Sequence, residues 1–341
     1  MSIKYNLAVV IGRFQPVHNG HQALINEAKK IADTVLVLVG SSGLPSTYEN
    51  PFSFTDRKRM LDAMQNLEDN VVCVEPLYDS MYNDNAWITQ VQDIVASYET
   101  NNSEVCLVGH KKDDSSYYLD LFPQWNFQRV AGFKNAPLNA TSVRDLLFRD
   151  DVNTDFISGV VPNQVFNILQ DYLGSDSFLD VIEERKFQEK YRKQFEHLPY
   201  APTFVTTDAV VFCVGHVLMI RRKSYPGRGL LAFPGGFLDA ATDKSLLDCA
   251  LRELKEETKI DVPVPVLRGS IVGTEVFDAI KRSSRGRTIT HAFKIQLKDS
   301  KLPKIKGGSD AASAVWVPLS EVKSEQCFED HYQILEHFLG A

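Results

Sequence analysis

Four short apolar runs, Leu7 to Ile11, Thr34 to Val39, Val71 to Val74 and Val105 to Val108, alternate with stretches of helical spacing at Gln22 to Ala32, Phe54 to Met64 and Trp87 to Tyr98. A strand that is apolar at every position must be covered on both faces, which is the situation of strands in a parallel sheet. Parallel neighbours need crossover connections, and the intervening helices supply them. The first part of the chain therefore predicts a βαβ series, a Rossmann-like doubly wound α/β domain.

A helical tail at Pro162 to Leu173 follows, then a segment rich in Glu, Lys, Arg and Gln from Val181 to His197, ending at Pro199 and Pro202. Its charges read as a solvated linker helix. From Thr203 the texture changes to strand-like runs, Phe204 to Val214, Val217 to Arg221, Gly269 to Phe277 and Thr288 to Leu297, with one strong helix at Leu246 to Thr258. The second half is predicted to be α+β. A chain of 341 residues accommodates two such cores. The expected division is residues 1–175, a helical linker at 176–200, and residues 201–341.

No apolar run approaches the roughly 18 residues of a membrane-spanning helix, and Met1 to Tyr5 carries no signal-peptide pattern, so a cytoplasmic location without membrane contact is expected. The five cysteines, Cys73, Cys106, Cys213, Cys249 and Cys327, are widely spaced and lie mostly in apolar stretches, which predicts reduced core thiols. A net charge of −7 argues against a general nucleic-acid binder, whose affinity rests on clustered Lys and Arg. Anionic small substrates need only a local cationic pocket.

The first apolar run ends in Gly-Arg-Phe-Gln-Pro-Val-His-Asn-Gly-His, Gly12 to His21, and a helical stretch follows. The end of a parallel strand delivers this loop to the ligand-binding edge of the sheet. A helix start offers free N–H groups and the positive end of a dipole. Gly20 admits a phosphate close to the backbone. His18 and His21, one turn apart, can aim imidazole donors at it, with Arg13 beside them.

These residues resemble the HxGH nucleotidyltransferase superfamily and, within it, the nicotinamide mononucleotide (NMN) adenylyltransferases of the archaeal-like type. Further matches follow in that family's order: Asn50-Pro-Phe-Ser-Phe-Thr-Asp-Arg57, Tyr82-Asn-Asp-Asn-Ala-Trp87, Gly109-His-Lys-Lys-Asp113 with Tyr117-Tyr118, Phe122-Pro-Gln-Trp125, and Ala140-Thr-Ser-Val-Arg144. The resemblance implies ATP and phosphate contacts from Gly12, Arg13, Phe14, Gly20, Gly109, Lys112, Asp113 and Thr141. It implies NMN contacts from Tyr82, Asp84 and Trp87, the indole facing the cationic nicotinamide ring. Arg144 is expected near the start of a helix capped by Thr141 or Ser142. Catalysis is expected to be positioning and charge neutralisation by His18, His21, Arg13, Arg144 and Mg²⁺, without a protein base. Asn139 and Ala140 stand where the family usually has serines.

In the second half, Phe233-Pro-Gly-Gly-Phe-Leu-Asp239 precedes Ala250-Leu-Arg-Glu-Leu-Lys-Glu-Glu-Thr258. On a helix, Glu253, Glu256 and Glu257 fall at i, i+3 and i+4, so three carboxylates share one face. A hard cation, Mg²⁺ or Mn²⁺, would relieve their repulsion and bridge a pyrophosphate. Arg252, four residues before Glu256, can orient that carboxylate. With Gly235 and Gly236 as the preceding loop, the arrangement resembles the Nudix box. Two departures stand out: Lys244 occupies the position of an acidic residue, for which Asp243 is a partial substitute, and Lys259 replaces the usual Gly after the second Glu pair. Arg221, Arg222 and Glu275 are further candidate substrate or water contacts.

A Nudix domain joined to this adenylyltransferase type resembles bifunctional bacterial enzymes whose second activity is ADP-ribose pyrophosphatase. The implied catalytic set is His18, His21, Arg144, Arg252, Glu256 and Glu257, acting on ATP, NMN, NAD and ADP-ribose. The rival readings are a Nudix domain that senses an NAD-derived ligand without cleaving it, or acts on another nucleoside diphosphate derivative, and an adenylyltransferase with a different phosphorylated acceptor. A homo-oligomer is left open.

Overall fold

The computed structural model describes residues 5–65, 71–99, 104–110, 114–130, 139–149, 152–308 and 311–340. The chain divides into two compact units, Met1–Ile182 and Glu183–Ala341.

Unit 1 begins β1 (Tyr5–Gly12), α1 (Asn19–Lys29), β2 (Ala32–Ser42), α2 (Phe54–Asp62), β3 (Val71–Tyr78), α3 (Asp84–Ala96), β4 (Val105–Gly109) and β5 (Asn126–Arg129). The sheet order is β3-β2-β1-β4-β5, and every pairing is parallel. The order reverses at β1, where neighbouring crossovers leave to opposite sides, so a crevice opens beyond the carboxyl ends of β1 and β4. Each apolar strand splits its side chains between two cores. Val10, Val35, Val37 and Val108 pack on one face with Ile25 and Met60. Val9, Leu36, Leu38 and Leu107 pack on the other with Val91 and Val95. This two-sided burial is why those runs lack alternation. β5 is exposed along its length and carries no such signal, so the sequence does not reveal it.

Four helices follow: α4 (Ala140–Leu147), α5 (Thr154–Ser158), α6 (Asn163–Leu173) and α7 (Asp176–Lys193). The division between units falls inside α7. Phe178 and Val181 join the first unit's core. Beyond residue 182, Tyr191 packs against Phe204, and the Glu184 carboxylate accepts from the Gly227 N–H at 3.1 Å. This helix is thus part of each unit's packing rather than a solvated spacer.

Unit 2 contains β6 (Thr203–Cys213), β7 (His216–Arg222), β8 (Leu231–Ala232), β9 (Gly235–Phe237), α8 (Leu246–Thr258), α9 (Val264–Gly269), β10 (Ile271–Phe277), β11 (Arg287–Gln296), β12 (Ala311–Pro318) and α10 (His331–Leu339). Its mixed sheet runs β10-β11-β6-β7-β12, with β8 on β7 and β9 on β6. Leu251 and Leu254 of α8 sit among Ala209, Val211, Leu218 and Ile295, each buried leucine contributing about 1.5–3 kcal/mol. Ser245 caps the start of α8 by accepting from the Asp248 N–H. At its far end, Lys306 and Gly308 donate to the carbonyls of Thr258 and Glu257 at 2.8 Å. A side chain at Gly308 would overlap the Glu256 carbonyl, so only glycine lets that loop close on the helix end. β8, β9 and β12 are short or only partly buried, and the sequence does not predict them.

Lys259 closes α8 in the left-handed region, at φ 46°, a conformation costing a non-glycine residue about 1 kcal/mol. Lys259→Gly is expected to raise the melting temperature of this unit by about 2–4 °C, read by calorimetry.

Candidate functional sites

In unit 1 the loop after β1 is shaped by backbone needs before any ligand enters. Phe14 adopts φ 53° with its ring fully buried, 4.6 Å from the His21 ring. A Cβ on Gly12 would sit 3.1 Å from that ring, so glycine is what lets Phe14 fold back. Gln15 is locked to Phe52 by two bonds: its amide donates to the Phe52 carbonyl at 2.8 Å, and its oxygen accepts from the Phe52 N–H at 3.0 Å.

His18 is the N-cap of α1, its Nδ1 accepting from the Gly20 N–H at 3.1 Å, while the His18 N–H donates to His21 Nδ1 at 3.3 Å. The two rings stack with centroids 3.7 Å apart. Burial pushes His18 down to about 4, and burial together with His18 pushes His21 well below its usual range. Both imidazoles are therefore neutral near pH 7, with Nδ1 accepting and the proton on Nε2. This corrects the expectation of charge neutralisation by the histidines. They offer N–H donors, and the cations of this loop are arginines.

Arg144 lies on α4, whose cap is Asn139, accepting from the Ser142 N–H at 3.0 Å, and not Thr141 or Ser142. Its Nη1 donates to the Gln15 carbonyl at 2.6 Å and its Nη2 to Thr141 Oγ1 at 3.2 Å. The Arg144 Nε is buried without a hydrogen-bond partner, a donor left for an anion. Arg13 is exposed beside it. Arg57, fully buried, donates to the carbonyls of Arg13 and Gly40, both at 2.7 Å, and of Ser41 at 3.2 Å. It holds the β1 and β2 loops together. Its place in the Asn50–Arg57 motif was visible, but this role was not, because its partners are main-chain atoms distant in sequence.

Gly109 ends β4, where a Cβ would meet Leu119 at 2.8 Å. Lys112 and Asp113 lie outside the described residues. Asn83 caps α3, Asp84 is exposed in its first turn, and Trp87 is half-buried, 6.3 Å from Tyr118 and 6.1 Å from Phe122. Tyr82, immediately before that cap, is half-buried.

In unit 2, α8 carries the acidic face. Arg252 donates through Nε and Nη2 to both Asp243 oxygens at 2.8 Å, and through Nη1 to Glu253 at 2.8 Å and Glu256 at 3.1 Å. Asp243 thus fills the role vacated at Lys244, and the Arg252 bond holds its carboxyl far below the usual range. Glu257 accepts from the Gly235 N–H at 2.9 Å. Burial pushes Glu257 up to about 8, and burial also raises Glu253. A Cβ on Gly236 would lie 2.5 Å from the Glu253 carboxylate, so the glycine pair lets the loop lie directly on the acids.

The three glutamates do not converge on one point, and no group of three metal-type side chains is assembled among the described residues. The buried Glu257 carboxylate, with half-buried Glu253 and exposed Glu256 beside it and a glycine loop against them, is nevertheless oxygen-donor chemistry that suits a divalent cation. Arg222 is half-buried over Phe328, 4.0 Å from the ring centroid, and donates to the Pro226 carbonyl. Arg221 donates to the Gly229 carbonyl, and Glu275 stands on exposed β10 opposite His337.

A cytidylyltransferase-like model matches residues 9–159 and a NUDIX domain model residues 203–338. The molecule is thus a nucleotidyltransferase unit joined to a Nudix unit. A nicotinamide/nicotinic acid mononucleotide adenylyltransferase of Acinetobacter baylyi is 31% identical over 56% of this chain and 96% of that protein. An ADPR-responsive transcriptional repressor of the same organism is 28% identical over 44% of this chain and 58% of its own length. The crystal structure of a bifunctional NMN adenylyltransferase/ADP ribose pyrophosphatase from Francisella tularensis, with AMP and a manganese ion, covers 98% of this chain and 99% of that one, at 32% identity and a TM-score of 0.88. The chain belongs to the family of bifunctional NMN adenylyltransferase/ADP ribose pyrophosphatases.

The neutral histidines fix a pH dependence. The unfolded chain binds protons near pH 6.5 that the folded His18 refuses until about 4, so this stability is complete above about 6.5 and is lost as pH falls towards 4. The His18 contribution amounts to about 3 kcal/mol over that window. In His18→Asn, which caps the helix without titrating, melting curves of unit 1 should lose this part of the acid slope.

Proposed function

We infer that this protein makes NAD from NMN and ATP in its first unit and cleaves ADP-ribose to AMP and ribose 5-phosphate in its second. The single observation that carries the reading is the end-to-end match to the bifunctional Francisella enzyme, supported by two sites whose chemistry suits it.

In the first reaction the NMN phosphate attacks the α-phosphorus of ATP; a new P–O bond forms and pyrophosphate leaves. A phosphate is already nucleophilic, so no protein base is needed. The work left to the chain is alignment and stabilisation of charge on phosphorus. His18 and His21 supply Nε2–H donors at the start of α1, and Arg13 and Arg144 supply positive charge, with Gly12, Phe14 and Gly20 giving the loop its form. Gly109, Lys112, Asp113 and Thr141 are assigned to ATP, and Tyr82, Asp84 and Trp87 to NMN.

In the second reaction water splits the diphosphate. Glu253, Glu256 and Glu257 are assigned as ligands of Mg²⁺, with Mn²⁺ as its substitute, and the metal would polarise the diphosphate when bound. Arg252 and Asp243 set the orientation of Glu253 and Glu256, while Gly235 and Gly236 bring the backbone against them. The protein is read as acting in the cytoplasm on small nucleotides. Among the described residues no helix is long and apolar enough to cross a membrane.

Purified protein with NMN, ATP and Mg²⁺ should form NAD and pyrophosphate; adenylylation of another phosphorylated acceptor instead would defeat the first half. Glu257→Gln should abolish ADP-ribose cleavage and leave NAD synthesis at the wild-type rate. Binding of ADP-ribose by the wild type without cleavage would replace the hydrolase by a sensor, the role that the name of the Acinetobacter repressor suggests for its relative.

A further inference from the structure

The turn from Arg282 to Arg285 belongs to neither motif, yet several buried links fix it. Arg282 donates to both oxygens of Asp330 at 2.8 Å, with both side chains buried. Glu329, buried and at φ 45°, aims its carboxylate into the turn: Oε1 accepts from Ser283 Oγ at 2.8 Å and from the Ser284 N–H at 3.1 Å. Its Oε2 has no hydrogen-bond partner and faces Arg285 Nη2 at 3.6 Å. On the other side, Arg192 donates twice to the Ser284 carbonyl, at 2.8 and 3.2 Å. A non-glycine residue held in the left-handed region signals that the surroundings impose the geometry.

These links place the Arg285 guanidinium 5.1 Å from the centroid of the Phe237 ring and 5.7 Å from that of Phe328. Phe237 directly follows Gly236, which lies against the Glu253 carboxylate. Arg285 Nε donates to Ser283 Oγ at 3.3 Å, and a guanidinium stacked on a ring and held at that end keeps its outer Nη N–H groups for contact with phosphate oxygens. A diphosphate approaching the carboxylates of α8 meets repulsion that cations on the facing side must offset. Arg285 and Arg222 both lie over the Phe328 ring, 5.7 and 4.0 Å from its centroid, and the charge of Arg222 acts on Glu257.

We propose that Arg285 binds the non-bridging oxygens of the substrate diphosphate in the Nudix site, and that Glu329 is the positioning residue that aims it. The proposal rests on the hydrolase reading above. The test uses the full-length protein with Mg²⁺ and ADP-ribose, comparing wild type with Arg285→Gln, Arg285→Lys and Glu329→Gln. Arg285→Gln should raise KM at least about 10-fold while kcat stays within about threefold, because binding is lost equally in ground and transition states. Lysine should restore only part of that loss, since it lacks the planar fork. Glu329→Gln, which still accepts from Ser283 and Ser284, should raise KM by a smaller factor. Melting temperature and NAD synthesis should not move in any of the three. An unchanged KM in Arg285→Gln, or a fall in kcat that tracks a fall in melting temperature, overturns the proposal. If the wild type spares ADP-ribose but cleaves another nucleoside diphosphate derivative, the substrate reading fails alone, and KM for that derivative decides the role of Arg285 by the same criterion. A wild type that cleaves none of them overturns both.

Discussion

Guanidinium groups that hold protein atoms organise both sites. In the first unit, loops at the ends of parallel strands leave carbonyls facing inward, and each such group must find a donor or cost about 1–3 kcal/mol. Arg57 satisfies the carbonyls of Arg13, Gly40 and Ser41, and Arg144 that of Gln15. In the second unit Arg252 holds Asp243, Glu253 and Glu256, so acids that would repel one another share one cation. Rigid planar donors suit this work because one side chain can reach several acceptors at fixed angles.

Around these anchors the two sites solve the problem of anionic ligands differently. The first keeps its two histidines neutral by burial, uses their Nδ1 atoms to cap α1, and leaves positive charge to Arg13 and Arg144. The second sets the buried Glu257 carboxylate and the half-buried Glu253 against a glycine pair. Arg285 and Arg222 lie over the rings of Phe237 and Phe328. The 327–331 segment links these parts: Phe328 donates its N–H to the Leu231 carbonyl, and His331 accepts from the Phe233 N–H.

Much of the fold was legible because burial on both faces leaves continuous apolar runs, and β1, β2 and β4 stand where those runs predict. Helix ends were read less well. Expected to start at Gln22 and Trp87, α1 and α3 begin at Asn19 and Asp84, because His18 and Asn83 serve as caps. The segment expected as a linker packs into both units, since Phe178, Glu184 and Tyr191 find partners that a count of charges does not reveal. β5, β8 and β9 escaped notice because they are exposed or two to four residues long.

The sequence by itself determined the residue types and their spacing along one element: the histidines one turn apart after β1, and the three glutamates on one face of α8. Those relations depend only on helix and strand geometry, which is local. Tertiary structure alone decided that the histidines are neutral and that Glu329 fixes Arg285 beside Phe237. Each depends on burial or on partners brought together by folding, and neither desolvation nor long-range contact is written in local spacing.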